Sequence, residues 1–264
     1  MKQFRRVIYN YYKKHGRALP WRKTQNPYHI LVSEIMLQQT QVSRVRVKFP
    51  LFIRRFPSIH ALAKAPQKQV ITAWQGLGYN RRAVHLKRLA EILVSRFKGK
   101  VPSSPEALMV LPGIGKATAG AICAFAFNKP VAFIETNIRS VFIHHFFKTR
   151  QSVSDKELFP YLRRYLDKKN PRKWYSALMD YGVYLKEVNT NPSRRSLHYR
   201  RQGLFEGSQR QLRGRIIRLL TMHRQMGLSA LARKTGLKAS KLGSIVDSLC
   251  RDGLVTRQGN CITL

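Results

Sequence analysis

Acidic residues are scarce in this chain: 12 Asp and Glu stand against 50 Lys and Arg among 264 residues, a formal net charge of +38. That imbalance is far beyond what solubility requires. Its counterpart is a polyanion, and counterion release would drive much of the binding. Cysteine is almost missing, and Cys123, Cys250 and Cys261 are too few and too dispersed for a disulfide framework or a thiolate metal site. No apolar run is long enough to span a bilayer, and the stretch from Met1 to Arg6 lacks a signal peptide's apolar core. Solenoid repeats and low-complexity tracts are absent too. These absences argue against membrane and secreted disulfide-rich classes and lead to the expectation of an intracellular, nucleic-acid-bound protein. What is present is foldable sequence. Hydrophobic residues make up 44% of the chain, enough for a substantial core in two or three modules.

The scarcity of acids singles out Glu34, the one carboxylate in the first 90 residues. The segment from Pro27 to Gln41 predicts a helix in which Ile30, Leu31 and Leu37 flank Glu34 on its own face, with Gln38 and Gln41 continuing the stripe. An acid kept in a largely apolar helix suits a proton donor. A surface Glu paired with a nearby Arg is the competing reading.

Helical patterns fill most of the chain before residue 205: 3–14, 28–42, 44–55, 67–75, 80–97, 104–110, 116–127, 136–147, 154–167 and 171–186. Ser104-Pro105-Glu106 is a helix start, a capping serine followed by proline. Residues 187–208 lack periodicity and predict a surface connector. Beyond them, helices over 209–222, 228–235 and 240–251 precede two strands about the Gly259-Asn260 turn. Three helices followed by a hairpin is winged-helix order, with 238–251 as the recognition helix. Lys234, Lys238 and Lys241 favour nucleic-acid contact there, against a purely structural docking wing.

Leu111-Pro112-Gly113-Ile114-Gly115-Lys116 joins two predicted helices. Its glycines allow a tight turn that directs backbone N–H groups outward at a helix start, a phosphate site to which Lys116 adds charge. Together with Leu19-Pro20-Trp21-Arg22, Pro27-Tyr28, the run from Ser33 to Val42, Gly76-Leu77-Gly78-Tyr79 and the run from Ala177 to Gly182, it makes six ordered motifs. The chain resembles the helix-hairpin-helix DNA glycosylases. Its Gln38-Gln39-Thr40-Gln41 and Gly76-Leu77-Gly78-Tyr79 strings are similar to adenine glycosylases of the MutY type rather than to endonuclease III.

The resemblance implies that Glu34 is the general acid that protonates the adenine ring. It places Glu135 on the family's aspartate, which stabilises the sugar cation, and Asn137 on its asparagine two residues later. Two carboxylates flanking a leaving base follow the logic of glycoside hydrolysis. Gln38, Gln39, Gln41 and Tyr79 fall on residues that wedge into the duplex while the target base is flipped. Trp21 and Arg22 would lie near the extrahelical base, with core packing the competing role for Trp21 and Tyr79. Gly113, Gly115 and Lys116 would hold phosphate.

Three departures accompany the matches. Glu135 is one methylene longer than the family's aspartate, and an ordinary helix-capping role is open to it. Ala117 stands where the lyases carry a Schiff-base lysine, so hydrolysis by water is favoured over β-elimination. Cysteine is missing from Lys186 to Gln202, where many relatives ligate an iron–sulfur cluster, so no cofactor is expected. The resemblance leads to the expectation that the family's C-terminal domain that inspects 8-oxoguanine is replaced here by the winged-helix pattern.

The expectation is therefore an all-α, two-lobed helix-hairpin-helix glycosylase fold followed by a winged-helix module. Residues 1–20 with 133–207 would form one lobe and 21–132 a helical barrel domain whose helix-hairpin-helix spans 104–127, leaving 208–264 as the wing. The implied reaction is monofunctional hydrolysis of adenine mispaired with guanine or 8-oxoguanine in duplex DNA. The protein would be a monomer, cytoplasmic and nucleoid-associated, with no membrane partner. Two alternatives stay open: a glycosylase for thymine or uracil opposite guanine, and a DNA-binding homologue without chemistry.

Overall fold

The computed structural model describes residues 2–223 and 225–264. In chain order the helices are α1 (Lys2–His15), α2 (Pro27–Leu37), α3 (Val42–Arg55), α4 (Ile59–Lys64), α5 (Gln67–Trp74), α6 (Arg81–Phe97), α7 (Pro105–Met109), α8 (Lys116–Phe127), α9 (Thr136–Phe146), α10 (Asp155–Tyr165), α11 (Pro171–Val188), α12 (Gln209–Met222), α13 (Leu228–Thr235) and α14 (Ala239–Arg251). Strands β1 (Met226–Gly227), β2 (Thr256–Gln258) and β3 (Cys261–Thr263) form an antiparallel sheet in the order β1-β3-β2, pairing Met226 with Ile262 and Arg257 with Ile262. The helical fold and the winged-helix order follow the expectation.

The chain divides into two compact units. One comprises Met1–Glu34, Pro102–Val110 and Ile114–Arg201; the other comprises Ile35–Val101, Leu111–Gly113 and Gln202–Leu264. This division differs from the one read from sequence. Residues 21–34, 102–110 and 114–132 join the unit of α1 and α9, residues 202–207 join the other, and the winged-helix segment is compact with α3 to α6 instead of standing alone.

In the first unit α11 is the central element and packs against α1, α8 and α9. Trp174, Tyr175, Phe142, Ile8 and Leu158 are buried around it, each such side chain contributing ~1.5–3 kcal/mol. Local chemistry sets the ends of the helices. Ser104 caps α7 by accepting from the Ala107 N–H, with Pro105 at the first helical position as the sequence predicts. Ser154 and Glu157 form a reciprocal capping box on α10.

The second unit has its core around Phe52, Leu62, Ile71, Trp74 and Leu86, and the winged-helix segment adds Ile216, Ile217, Leu220, Leu242, Val246 and Ile262. Gln67 Nε2 donates to the Gly253 carbonyl at 2.8 Å, and Arg81 pairs with Asp252 at 3.6 Å, tying α5 and α6 to the end of α14.

Several boundaries differ from the sequence expectation for physical reasons. Helix α2 stops at Leu37, so Gln41 does not continue the stripe of Glu34 and instead precedes α3. Arg82 explains the stop. Its buried guanidinium donates to the Ile35 and Met36 carbonyls at 2.8 Å each, to Thr40 Oγ1 at 2.8 Å and to the Gly78 carbonyl at 2.9 Å. Those bonds replace the next helical turn. Helix α4, capped by Ser58, and strand β1 are unanticipated, and α11 runs to Val188 into the expected connector. Among the described residues no helix is long and apolar enough to cross a membrane.

Candidate active site and nucleic-acid interface

The two carboxylates singled out by the sequence, Glu34 and Glu135, both lie in the first unit. Glu34 lies in the last turn of α2, half-buried between fully buried neighbours Ser33 and Ile35. Among the described residues no hydrogen bond or ion pair reaches its carboxyl group. Burial pushes that carboxyl up to about 8; the nearby negative charge of Glu135 raises it further and the Arg22 cation opposes the rise. The surface-pair reading of Glu34 does not describe this environment. A carboxyl with such a value is protonated at neutral pH and can donate.

Glu135 precedes α9 in extended conformation and caps it with its own side chain. Oε1 accepts from the Asn137 and Ile138 backbone N–H groups at 2.8 and 2.9 Å, and Oε2 accepts from Asn137 Nδ2 at 3.1 Å. The capping role anticipated for it is therefore real, and it fixes the carboxylate close enough to Glu34 to act on it electrostatically. Asn137 is held in turn by Lys186, whose Nζ donates to Asn137 Oδ1 at 2.7 Å.

Gly182 of α11 makes this approach possible. A Cβ built there would stand 2.4 Å from the Asn137 carbonyl oxygen, a backbone atom that cannot yield cheaply. Gly182→Ala is expected to cost ~1–3 kcal/mol in unfolding free energy through overpacking, and to displace the Glu135–Asn137 cap. Urea titration of the variant, with the midpoint unchanged, would contradict that account.

Trp21 and Arg22, expected near the extrahelical base, lie in the first unit with Glu34. Trp21 is buried. The Arg22 guanidinium is committed to Asp180 of α11, with Nη1 to Oδ2 at 2.7 Å and Nη2 to Oδ1 at 2.8 Å. Arg17 adds its backbone N–H at 2.8 Å and its Nε at 2.6 Å to the same carboxylate. Burial alone would raise the Asp180 carboxyl, but the Arg22 bonds and charge and then those of Arg17 outweigh it and hold the group below its usual range. This network anchors the chain ahead of α2 to α11, and through it Arg22 biases Glu34.

The second unit holds Gln38, Gln39, Gln41, Tyr79 and Gly113, while Gly115 and Lys116 belong to the first. Gln38 donates through Nε2 to the Gly113 carbonyl at 3.0 Å. Gln39 and Tyr79 hold left-handed backbone conformations, φ +52° and +47°, which cost non-glycine residues about 1 kcal/mol or more each. Tyr79 is exposed rather than packed in the core, and its hydroxyl accepts from Gln202 Nε2 and, at 3.1 Å, from Arg210 Nη1. Gln38, Gln39, Tyr79, Arg81, Arg210 and Arg213 share the lining of one open pocket of about 400 Å³. Gln41 lies exposed at the start of α3.

The hairpin between α7 and α8 turns at Gly113, whose φ of +80° favours glycine. Gly115 is the N-cap of α8, and exposed Lys116 and Ala117 begin the helix. The first amides of any helix lack intrahelical partners. Lys234, Lys238 and Lys241 are exposed as well.

A family model described as HhH-GPD superfamily base excision DNA repair protein matches residues 32–166, about half of the chain. The chain belongs to that superfamily. The adenine DNA glycosylase of Buchnera aphidicola subsp. Baizongia pistaciae is 38% identical over 187 residues, covering 69% of this chain and 52% of that protein. The thymine/uracil-DNA glycosylase of Pyrobaculum aerophilum is 36% identical over 166 residues, covering 61% of this chain and 72% of that protein. The solved structure of a thermostable thymine-DNA glycosylase superposes with a TM-score of 0.61 at 27% identity, covering 69% of this chain and 87% of the other. The chain thus spans about half the length of the adenine glycosylases it matches.

Within this HhH-GPD scaffold, sequence reasoning missed four residues that the geometry brings forward: Arg82, Lys186, Gln202 and Arg210. For Arg82 a signal existed, because it occupies the apolar stripe continued by Leu86, Leu89 and Leu93 of α6. The other three leave no local trace.

Proposed function

We propose that this protein is a monofunctional DNA glycosylase that hydrolyses the N-glycosidic bond of adenine mispaired with guanine or 8-oxoguanine. The observation that carries the reading is the carboxyl pair: a proton-loaded Glu34 beside a Glu135 held by three hydrogen bonds. Glu34 donates its proton to a ring nitrogen of the leaving purine as the bond to C1′ breaks. Glu135 faces the developing sugar cation, and water completes the displacement. Ala117 offers no amine for a Schiff base, which favours hydrolysis over strand cleavage. The adenine glycosylases among its relatives support the choice of base.

No cofactor enters this reaction. The segment from Lys186 to Gln202 has no cysteine to ligate an iron–sulfur cluster, so the donor set does not fit one. Its conformation is held by protein contacts instead. Ser140 and Ser193 hydroxyls meet at 2.6 Å, and Arg195 Nη1 donates to the carbonyls of Phe147 and Lys148. Val153 donates its N–H to the Arg195 carbonyl at 2.9 Å, and Leu197 returns a bond to Val153 at 3.0 Å.

The partner is duplex DNA containing the mismatch, bound by a monomer. Gln38, Gln39, Gln41 and Tyr79 act as the wedge, while Gly113, Gly115 and Lys116 hold phosphate. Excision of thymine or uracil opposite guanine is the second reading, favoured by the Pyrobaculum relative, of which the chain covers the larger share. Single-turnover assays on duplexes with A·G, A·8-oxoguanine, T·G and U·G decide between them. Excision from the first two alone is the expected result; no excision from any would leave only a DNA-binding role. With a net charge of +38, affinity for undamaged duplex is expected to fall ~10³-fold or more between 50 and 200 mM salt, on the scale of six or more neutralised phosphates. A flat dependence of log affinity on log salt would contradict the electrostatic account.

A further inference from the structure

Lys186 is a lysine in the wrong place for a solvated charge. It lies in the last turn of α11, half-buried, and spends its ammonium on a neutral amide at 2.7 Å. An ordinary surface lysine on a helix end would extend its stem and keep its head in water. Nearby Arg139 of α9 is bound to Asp155 by its Nε and Nη2 at 2.7 and 2.8 Å. Lys186 carries no carboxylate partner among the described residues, and its charge acts on Glu135.

The chemistry of the amide gives this contact a direction. An ammonium is a donor only, so it accepts nothing but the oxygen end of the Asn137 side chain. That choice turns Nδ2 toward Glu135 Oε2, where it donates at 3.1 Å. In the flipped amide, NH₂ would face the ammonium and oxygen would face the carboxylate, two repulsive contacts in place of two attractive ones. Remove the ammonium and the first penalty disappears, so Asn137 is no longer locked. Gly182, one turn earlier on α11, lets the two helices approach closely enough for the lock to close.

We infer that Lys186 is a positioning residue for the excision reaction: by fixing the orientation of the Asn137 amide it aims the free lone pairs of Glu135 at the sugar. This rests on the glycosylase reading above and assigns a task to a residue that reading left idle. Desolvation, with Arg139 adding to it, lowers the proton affinity of Lys186 against the opposing pull of Glu135. Holding the charge there costs free energy that a purely decorative lysine would not retain.

The role predicts an effect on chemistry and none on binding. Lys186→Met keeps the stem and loses the donor. Measured in single turnover on the duplex that wild type cleaves, its rate constant is expected to fall ~10- to 100-fold, the scale of a catalytic group displaced by about 1 Å. Its Kd for undamaged duplex should equal that of wild type. Lys186→Arg, which keeps charge and donors, should restore most of the rate.

The same substitution made on a Glu135→Gln background tests the path of the effect: if Lys186 acts through Glu135, the second loss vanishes. Lys186→Gln, neutral and one atom shorter, serves the same test should Lys186→Met fail to fold. An unchanged or faster rate in both neutral variants would overturn the inference, as would an equal loss with and without Glu135. Borohydride trapping of Lys186 on abasic DNA would overturn it too, by making the lysine a nucleophile. Absence of excision by the wild-type protein on every duplex would sink the glycosylase reading itself, and this role with it.

Discussion

Glu34→Gln is expected to lower the single-turnover excision rate ~10²- to 10⁴-fold, the range set by losing a positioned general acid. The substitution is nearly isosteric and removes only the transferable proton. DNA affinity should be unchanged, because other residues are proposed to hold phosphate and to wedge the duplex. The pH profile carries the sharper signature. With the Glu34 carboxyl pushed up to about 8, the wild-type rate should hold steady through neutrality and fall above about pH 8, roughly tenfold per unit, as the acid loses its proton. The residual rate of Glu34→Gln should show no such limb.

Stability provides an independent check with a definite sign. In the unfolded chain Glu34 has an ordinary carboxyl value near 4.5, while in the folded protein it is raised to about 8. Between those values the native state binds more protons than the unfolded state, so stability is full below about pH 4.5 and declines as pH rises through about 8. Gln has no such proton. The variant should therefore unfold at a higher temperature than wild type at pH 7 and above, with the gap closing near pH 4. A wild-type rate in Glu34→Gln would remove general acid catalysis from the mechanism. An identical Tm at all pH values would mean that Glu34 titrates as an exposed carboxylate.

Glu34 could be found from sequence because acids are rare enough here to carry information. In a chain with 50 basic residues the converse fails. Lys186 and Arg210 have sequence neighbourhoods like those of many solvated cations, and only their partners distinguish them: Asn137 for Lys186 and the Tyr79 hydroxyl for Arg210. Range defeats local reading in the same way at Arg22. Its motif with Trp21 suggests a place near the extrahelical base and no partner for its charge, and the carboxylate that claims it, Asp180, is 158 residues away.

Periodic elements were legible because burial imposes their period. Helices α1, α6 and α8 and the helices and hairpin of the winged-helix segment fall within a residue or two of expectation. Helix α4, with six residues, and β1, with two, are too short to show a period. The end of α2 depends on Arg82, more than forty residues later, so no local rule finds it. The division into units is equally non-local. It passes between Glu34 and Ile35 inside one continuous helix, where composition shows no seam.

Glu135→Gln should cut the excision rate by at least ~10²-fold, the scale of lost electrostatic stabilisation of a transition state. The loss has two sources. Gln carries no negative charge to set against the sugar cation. Its amide would also point NH₂ at Asn137 Nδ2, a donor against a donor, and Lys186 prevents Asn137 from flipping to relieve it. Glu135→Asp separates catalysis from capping. Aspartate caps helices better than glutamate, so the Asn137 and Ile138 N–H groups stay satisfied and the Tm should hold or rise. One methylene shorter, its second oxygen no longer reaches Asn137 Nδ2 in the present frame, and the rate is expected to fall ~10-fold. A faster Glu135→Asp enzyme would show instead that the site has drifted from an aspartate optimum. A Glu135→Gln variant with wild-type rate but reduced stability would make this carboxylate a helix cap alone, and Glu34 would then have to act without a charged partner.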